Sequence, residues 1–134
     1  MYSDKIKQIF TNPKNVGILQ NASGVAQYVN PKTNDILKLY IKIENGMIID
    51  ASFKSFAGIM GVVVLSEFTE MLKYKTIEDA LNINETEIEE YICEIPENKK
   101  YLLTDAIEVL KLTVQDYTKK LEKELKKHKK IMEN

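Results

Sequence analysis

The stretch Leu37-Lys38-Leu39-Tyr40-Ile41-Lys42-Ile43-Glu44-Asn45-Gly46-Met47-Ile48-Ile49-Asp50-Ala51-Ser52-Phe53-Lys54 decides the fold. Leu37, Leu39, Ile41 and Ile43 alternate with Lys38, Tyr40 and Lys42, the period of two that marks a strand buried on one face. Asn45-Gly46 accepts the positive φ angles of a tight turn. After it, Met47, Ile49, Ala51 and Phe53 alternate with Ile48, Asp50, Ser52 and Lys54. An antiparallel hairpin with one apolar face follows.

Upstream, Ser3 caps a short amphipathic helix with Ile6, Ile9 and Phe10 on one face, stopped by Asn12-Pro13-Lys14-Asn15. A further strand is expected around Val25 to Val29, and Asn30-Pro31-Lys32-Thr33-Asn34-Asp35 turns it back into the hairpin. Downstream the period changes. From about Met60, Val62, Leu65, Phe68 or Thr69, and Leu72 recur every three or four residues, as on a helix that covers the sheet. Thr76 with Asp79, and Asn84 with Glu87, have the spacing of caps on two more short helices. Cys93-Glu94-Ile95-Pro96-Glu97-Asn98 reads as a connection. Leu103, Ala106, Leu110, Val114, Tyr117, Leu121 and Leu125 then line one face of a long helix whose last part, residues 119–134, is a basic extension. Strands first and helices mostly afterwards predict an α+β fold rather than a parallel βαβ array.

Composition narrows the chemistry. With 134 residues, 44% of them hydrophobic, the chain has the length of one domain and can bury roughly two-thirds of its unfolded surface. A net charge of −1 gives no general reason to expect nucleic acid or an anionic membrane as partner, and no apolar run is long enough to span a bilayer, so a cytoplasmic protein is expected. One cysteine cannot form an intramolecular disulfide or supply a thiolate cluster by itself. His128, the single histidine, sits among Lys126, Lys127, Lys129 and Lys130 and reads as a solvated residue. Cys93 has acidic neighbours that disfavour a thiolate, so it reads as buried or inert. Glu87, Glu90 and Glu94 have helix-face spacing and read as a solvated acidic face before a cation site. Gly58 and Gly61, where strand gives way to helix, lack the lysine of a phosphate loop and read as a packed turn. From residue types alone, no active site emerges.

Whole segments are more specific. Tyr2-Ser3-Asp4-Lys5, Asn12-Pro13-Lys14-Asn15-Val16-Gly17, the run from Asn30 to Lys42, Asp50-Ala51-Ser52-Phe53-Lys54-Ser55-Phe56, Thr69-Glu70-Met71-Leu72-Lys73-Tyr74-Lys75-Thr76 with Ala80-Leu81, Asp105-Ala106-Ile107 and Asp116-Tyr117 resemble, in order and spacing, the NifU N-terminal or IscU-type iron–sulfur cluster assembly scaffolds. The likeness covers residues 2 to 118, so residues 1–118 are expected to form the domain. It implies a three-stranded antiparallel sheet with helices packed on it and a cluster site at one end. It also implies a scaffold rather than an enzyme: a cysteine desulfurase supplies sulfur, and the finished cluster passes to acceptor proteins.

Three cysteines and a nearby aspartate form that site in the family, and this chain departs from the pattern at every thiol. Thr33-Asn34-Asp35 stands for Cys-Gly-Asp, so only Asp35 survives as a candidate metal ligand. Ala57-Gly58-Ile59 stands for Gly-Cys-Gly, and the third cysteine falls at Tyr101 or Leu102. Ile95-Pro96-Glu97-Asn98-Lys99 keeps the outline of a Leu-Pro-Pro-x-Lys loop that serves chaperone recognition in some members. Soft thiolates hold iron and sulfide, whereas a threonine hydroxyl is a poor neutral ligand and glycine offers no side chain. The expectation is a scaffold-like protein without its own cluster, working through contacts with a desulfurase or a cysteine-bearing paralogue, with Ile59, Met60 and Lys99 on the binding surface. The alternatives are iron or zinc held weakly through Asp35 with unconventional ligands such as Cys93, and a small-molecule or homo-oligomer module built on an apolar patch at Gly58 and Met60.

Overall fold

The structure, a computed structural model, describes residues 2–133. Helix α1 spans Asp4–Thr11, strands β1, β2 and β3 span Gly24–Val29, Ile36–Glu44 and Met47–Phe56, and helices α2, α3, α4 and α5 span Gly58–Leu72, Ile77–Leu81, Glu85–Ile92 and Tyr101–Glu133. A single 3-10 turn, Glu97–Lys99, precedes α5. The sheet is antiparallel in the order β1-β2-β3, with Leu39 between Ala26 and Phe53. The fold is therefore the expected α+β arrangement.

The alternating strand residues explain which face is buried. Leu37, Leu39, Ile41, Ala51 and Phe53 form the core layer, and α2 and α5 pack over it with Val63, Val64, Phe68, Leu72, Ala106 and Leu110. In β3 the expected alternation needs one correction. Lys42 faces Asp50 but Ile43 faces Ile48, so Ile49 is the extra residue of a bulge and Ile48, rather than Met47 or Ile49, enters the core. Helix α2 is buried on most of its circumference because β3, α1, α4 and α5 all meet it. Phe10 is exposed, so Ile6 alone anchors α1 in the deep core.

Several local signals act as the sequence predicts. The Ser3 hydroxyl accepts from the Ile6 amide, Thr76 caps α3, and Asn84 with Glu87 forms a reciprocal capping box on α4. Asn15, at φ 64°, is the centre of a further brace: its amide donates to Thr69 Oγ1 and Glu70 Oε1 while its carbonyl oxygen accepts from Lys73 Nζ. The adjoining backbone runs beside β3, where Gly17 N donates to Phe53 O and Phe53 N donates to Asn15 O. The Asn-Pro-Lys-Asn-Val-Gly segment thus fastens the edge of the sheet to α2. The apolar stripe of α5 is buried only as far as Val114, and Leu121 and Leu125 lie exposed beyond it.

Candidate functional site

The β1–β2 turn, the β3–α2 junction and the start of α5 supply the candidate site. Ile36 pairs with Phe56, so Asp35 and Gly58 leave the sheet at the same end. Asn30 shapes the turn: its Oδ1 accepts from the amides of Lys32 (2.9 Å) and Thr33 (3.2 Å), and its Nδ2 donates to both carboxylate oxygens of Asp105 (3.1 and 3.0 Å). Asn30 and Asp105 are both buried. Burial pushes the Asp105 carboxyl above its usual range; the Asn30 amide opposes that rise, and the negative charges of Asp35 and Glu108 add to it.

Outside this buried pair the turn ends in Thr33, Asn34 and Asp35. The Asp35 amide donates to Thr33 Oγ1 at 3.2 Å, and the Tyr101 hydroxyl donates to Asp35 Oδ2. The phenol is pushed up to about 12, chiefly by burial, then by the hydrogen bond to Asp35 and its negative charge, with the Thr33 hydroxyl opposing. A tyrosine so placed is neutral across the physiological range. Of the two positions considered for the third family cysteine, Tyr101 reaches the turn, whereas Leu102 is fully buried in the core.

At the third corner, Gly58 opens α2 with φ +68°, and a Cβ there would meet no atom within 4 Å. A side chain has room, but the left-handed backbone disfavours it. Gly61, one turn later, has the opposite constraint: a Cβ would lie 2.5 Å from Ala57 Cβ and 2.6 Å from Ser55 Oγ. The packed-turn reading fits Gly61, whereas at Gly58 the backbone conformation and not packing favours glycine. Met60 must be corrected, because it is buried at 1% exposure and cannot belong to a binding surface. Ile59 is exposed, and Phe56 beside it is 67% exposed. Phe56 went unnoticed in the sequence, although strand parity carries the signal: with Phe53 facing the core, the residue three further on points away from it.

The remaining candidates lie elsewhere. Lys99 is half-buried in the 3-10 turn, while its neighbour Lys100 ties that turn to α4 through Glu97 (2.9 Å) and Glu89 (3.1 Å). Cys93 is exposed, which removes the first alternative of its buried-or-inert reading. Its Sγ lies 3.8 Å from Lys5 Nζ and 3.5 Å from the Glu90 carbonyl oxygen, and neither group belongs to the Asp35–Tyr101 cluster. Among the described residues no three His, Cys, Asp or Glu side chains converge as a metal site, and no helix is long and apolar enough to cross a membrane. The site's donor set is one carboxylate, one alcohol and one neutral phenol, which does not fit an iron–sulfur cluster.

Comparison with known proteins completes the picture. The model of the NifU-like N terminal domain matches residues 1–124. The iron–sulfur cluster assembly scaffold protein IscU 1 of Archaeoglobus fulgidus is 36% identical over 141 aligned positions, covering 97% of this chain and 92% of the relative. The corresponding IscU of Aquifex aeolicus is 37% identical, covering 89% of this chain and 77% of the relative. A NifU-like N-terminal crystal structure from Brucella abortus superposes with a TM-score of 0.69 at 14% identity, over 89% of this chain and 95% of that one. The fold is thus that of a NifU-like N-terminal domain, and the chain belongs to the NifU-like N-terminal domain family.

Proposed function

We propose that this protein is an iron–sulfur cluster assembly scaffold homologue that no longer holds a cluster and acts through protein contacts. The observation that carries the reading is the Tyr101 hydroxyl bonded to Asp35 beside Thr33, with Gly58 at the same end of the sheet. The family's cargo needs anionic sulfur donors at these corners. Here the first is an alcohol, the second has no side chain, and the third is a phenol whose proton is engaged by the one surviving carboxylate. The reading takes residues 119–134 as an addition to the scaffold body and the cytoplasm as its location. No residue of the cluster forms an activated nucleophile or an acid–base pair, which supports a scaffold rather than an enzyme. The exposed Phe56 and Ile59 offer an apolar surface to a desulfurase or to a cysteine-bearing paralogue, with Lys99 on the separate 3-10 turn before α5 as a second candidate contact.

Anaerobic reconstitution with ferrous iron and sulfide, followed by desalting, tests the proposal. The wild type is expected to emerge colourless and iron-free, while the triple variant Thr33→Cys, Gly58→Cys, Tyr101→Cys retains iron and shows sulfide-to-iron charge-transfer bands. Iron and those bands in the wild type, lost in Asp35→Ala, would establish unconventional ligation through Asp35 and overturn the proposal. Binding to a cysteine desulfurase, weakened by Phe56→Asp or Ile59→Asp, is the companion measurement.

A further inference from the structure

Beyond Val114 the apolar stripe of α5 loses its cover. Leu121 is 38% exposed, Leu125 59% and Met132 74%, although α5 continues unbroken to Glu133. Leu121, Leu125, His128 and Met132 are spaced four, three and four residues apart, the alternation of a coiled-coil seam. Lys119, Lys123, Lys126, Lys127 and Lys130 occupy the opposite face and form no ion pairs among the described residues. The arm is therefore a preformed helix with one uncovered apolar seam and a solvated basic back.

We infer that the seam pairs with the same seam of a second copy of this chain, the two arms running antiparallel. The sequence carries the complementarity. In an antiparallel pair, the register that sets Leu121 against Met132 of the second copy also sets Leu125 against His128, and symmetry repeats both layers. The same register brings Glu122 on one edge of the seam close to Lys129 of the second copy. A parallel pair in register would instead set Lys129 beside Glu124 of the second copy and Glu122 beside Tyr117, so a Glu122–Lys129 contact belongs to the antiparallel arrangement alone. The arrangement is self-complementary and closes as a two-fold dimer, with the two bodies at opposite ends of the paired arms. The basic backs face water on both sides, so the lysines oppose association only through their screened net repulsion.

The experiment is sedimentation equilibrium of the full chain at neutral pH, in salt from about 50 mM to about 500 mM. A dimer is expected, tightening as salt rises, because the seam is apolar and the arms carry like net charge. Leu125→Asp, at an exposed position, should leave the circular dichroism of the body unchanged and weaken dimerisation by about 100-fold or more, since the dimer loses two buried leucines. Glu122→Lys and Lys129→Glu should each weaken it, and the double variant should recover it. A wild type monomeric at all concentrations, a Leu125→Asp variant that dimerises like the wild type, or a double variant no tighter than its parents overturns the inference. So does a monomer whose arm binds vesicles of anionic phospholipid with an affinity that falls as salt rises, which would assign the arm to a membrane surface. None of these outcomes depends on cluster binding.

Discussion

Two contacts join the β1–β2 turn to the first turns of α5, and they differ in depth. The inner one, Asn30 with Asp105, is buried and uses both carboxylate oxygens. The outer one, Asp35 with Tyr101, lies one helical turn away along α5 and is only part-buried. Asn30 also accepts two amides of its own turn, so the inner contact decides where the turn sits whatever stands at Thr33 and Asp35. The outer contact can therefore change its chemistry without moving the backbone. The inner contact fixes the shape of this end of the sheet, and the outer one fixes only its surface chemistry.

The largest expected effect comes from breaking the inner contact. Asp105→Ala leaves the buried Asn30 amide without its acceptor and should cost about 1–3 kcal/mol in urea unfolding. Asp35→Ala, at the more exposed outer contact, should cost less than about 1 kcal/mol. Equal losses in the two variants would remove the distinction drawn between them. Next in size is the third corner: Gly58→Ala should cost about 1 kcal/mol, because the residue holds φ +68° with open space around the missing Cβ. A neutral Gly58→Ala would mean that the β3–α2 junction relaxes freely, and that a cysteine there meets no backbone penalty.

Much of this molecule was legible in its sequence because the relevant signals are local. The Leu37–Ile43 alternation, the Asn45-Gly46 turn and the Asn84 capping box each involve residues within a few positions of one another. The bulge at Ile49 was not legible, since the register shift depends on how Ile48 pairs with Ile43 and on the backbone bonds that Tyr74 and Lys75 make to Ile48. Met60 was misplaced for a similar reason. An apolar residue beside a glycine junction suggests an exposed patch, but α2 has neighbours on several sides and buries it. Motif order pointed to Thr33, Asp35 and Gly58, which the fold brings to one end of the sheet, whereas which of Tyr101 and Leu102 meets the turn needed the phase of α5. Leu102 turns into the core and Tyr101 turns to the β1–β2 turn, a fact set by packing 66 residues away in sequence.

The smallest expected effect is also the one most specific to the outer contact. Tyr101→Phe deletes the hydroxyl while keeping the ring, so its cost near neutral pH should be about 1 kcal/mol or less. Its signature is the pH dependence. The folded state holds the phenol up to about 12, against an ordinary value of 10.0, so the protonated form is the one that folding favours. The corresponding stability is fully present below about pH 10 and is lost as pH rises toward 12, where the folded phenol also ionises. The stability gap between wild type and Tyr101→Phe should therefore stay constant up to about pH 10 and narrow above it. The phenolate absorbance of the native protein should meanwhile lose its most alkaline component in the variant. A gap that stays flat to pH 12, with the variant losing a phenolate component near the ordinary value of 10.0 instead of the most alkaline one, would mean that Tyr101 is an ordinary exposed phenol and that Asp35 stands free at the end of the sheet.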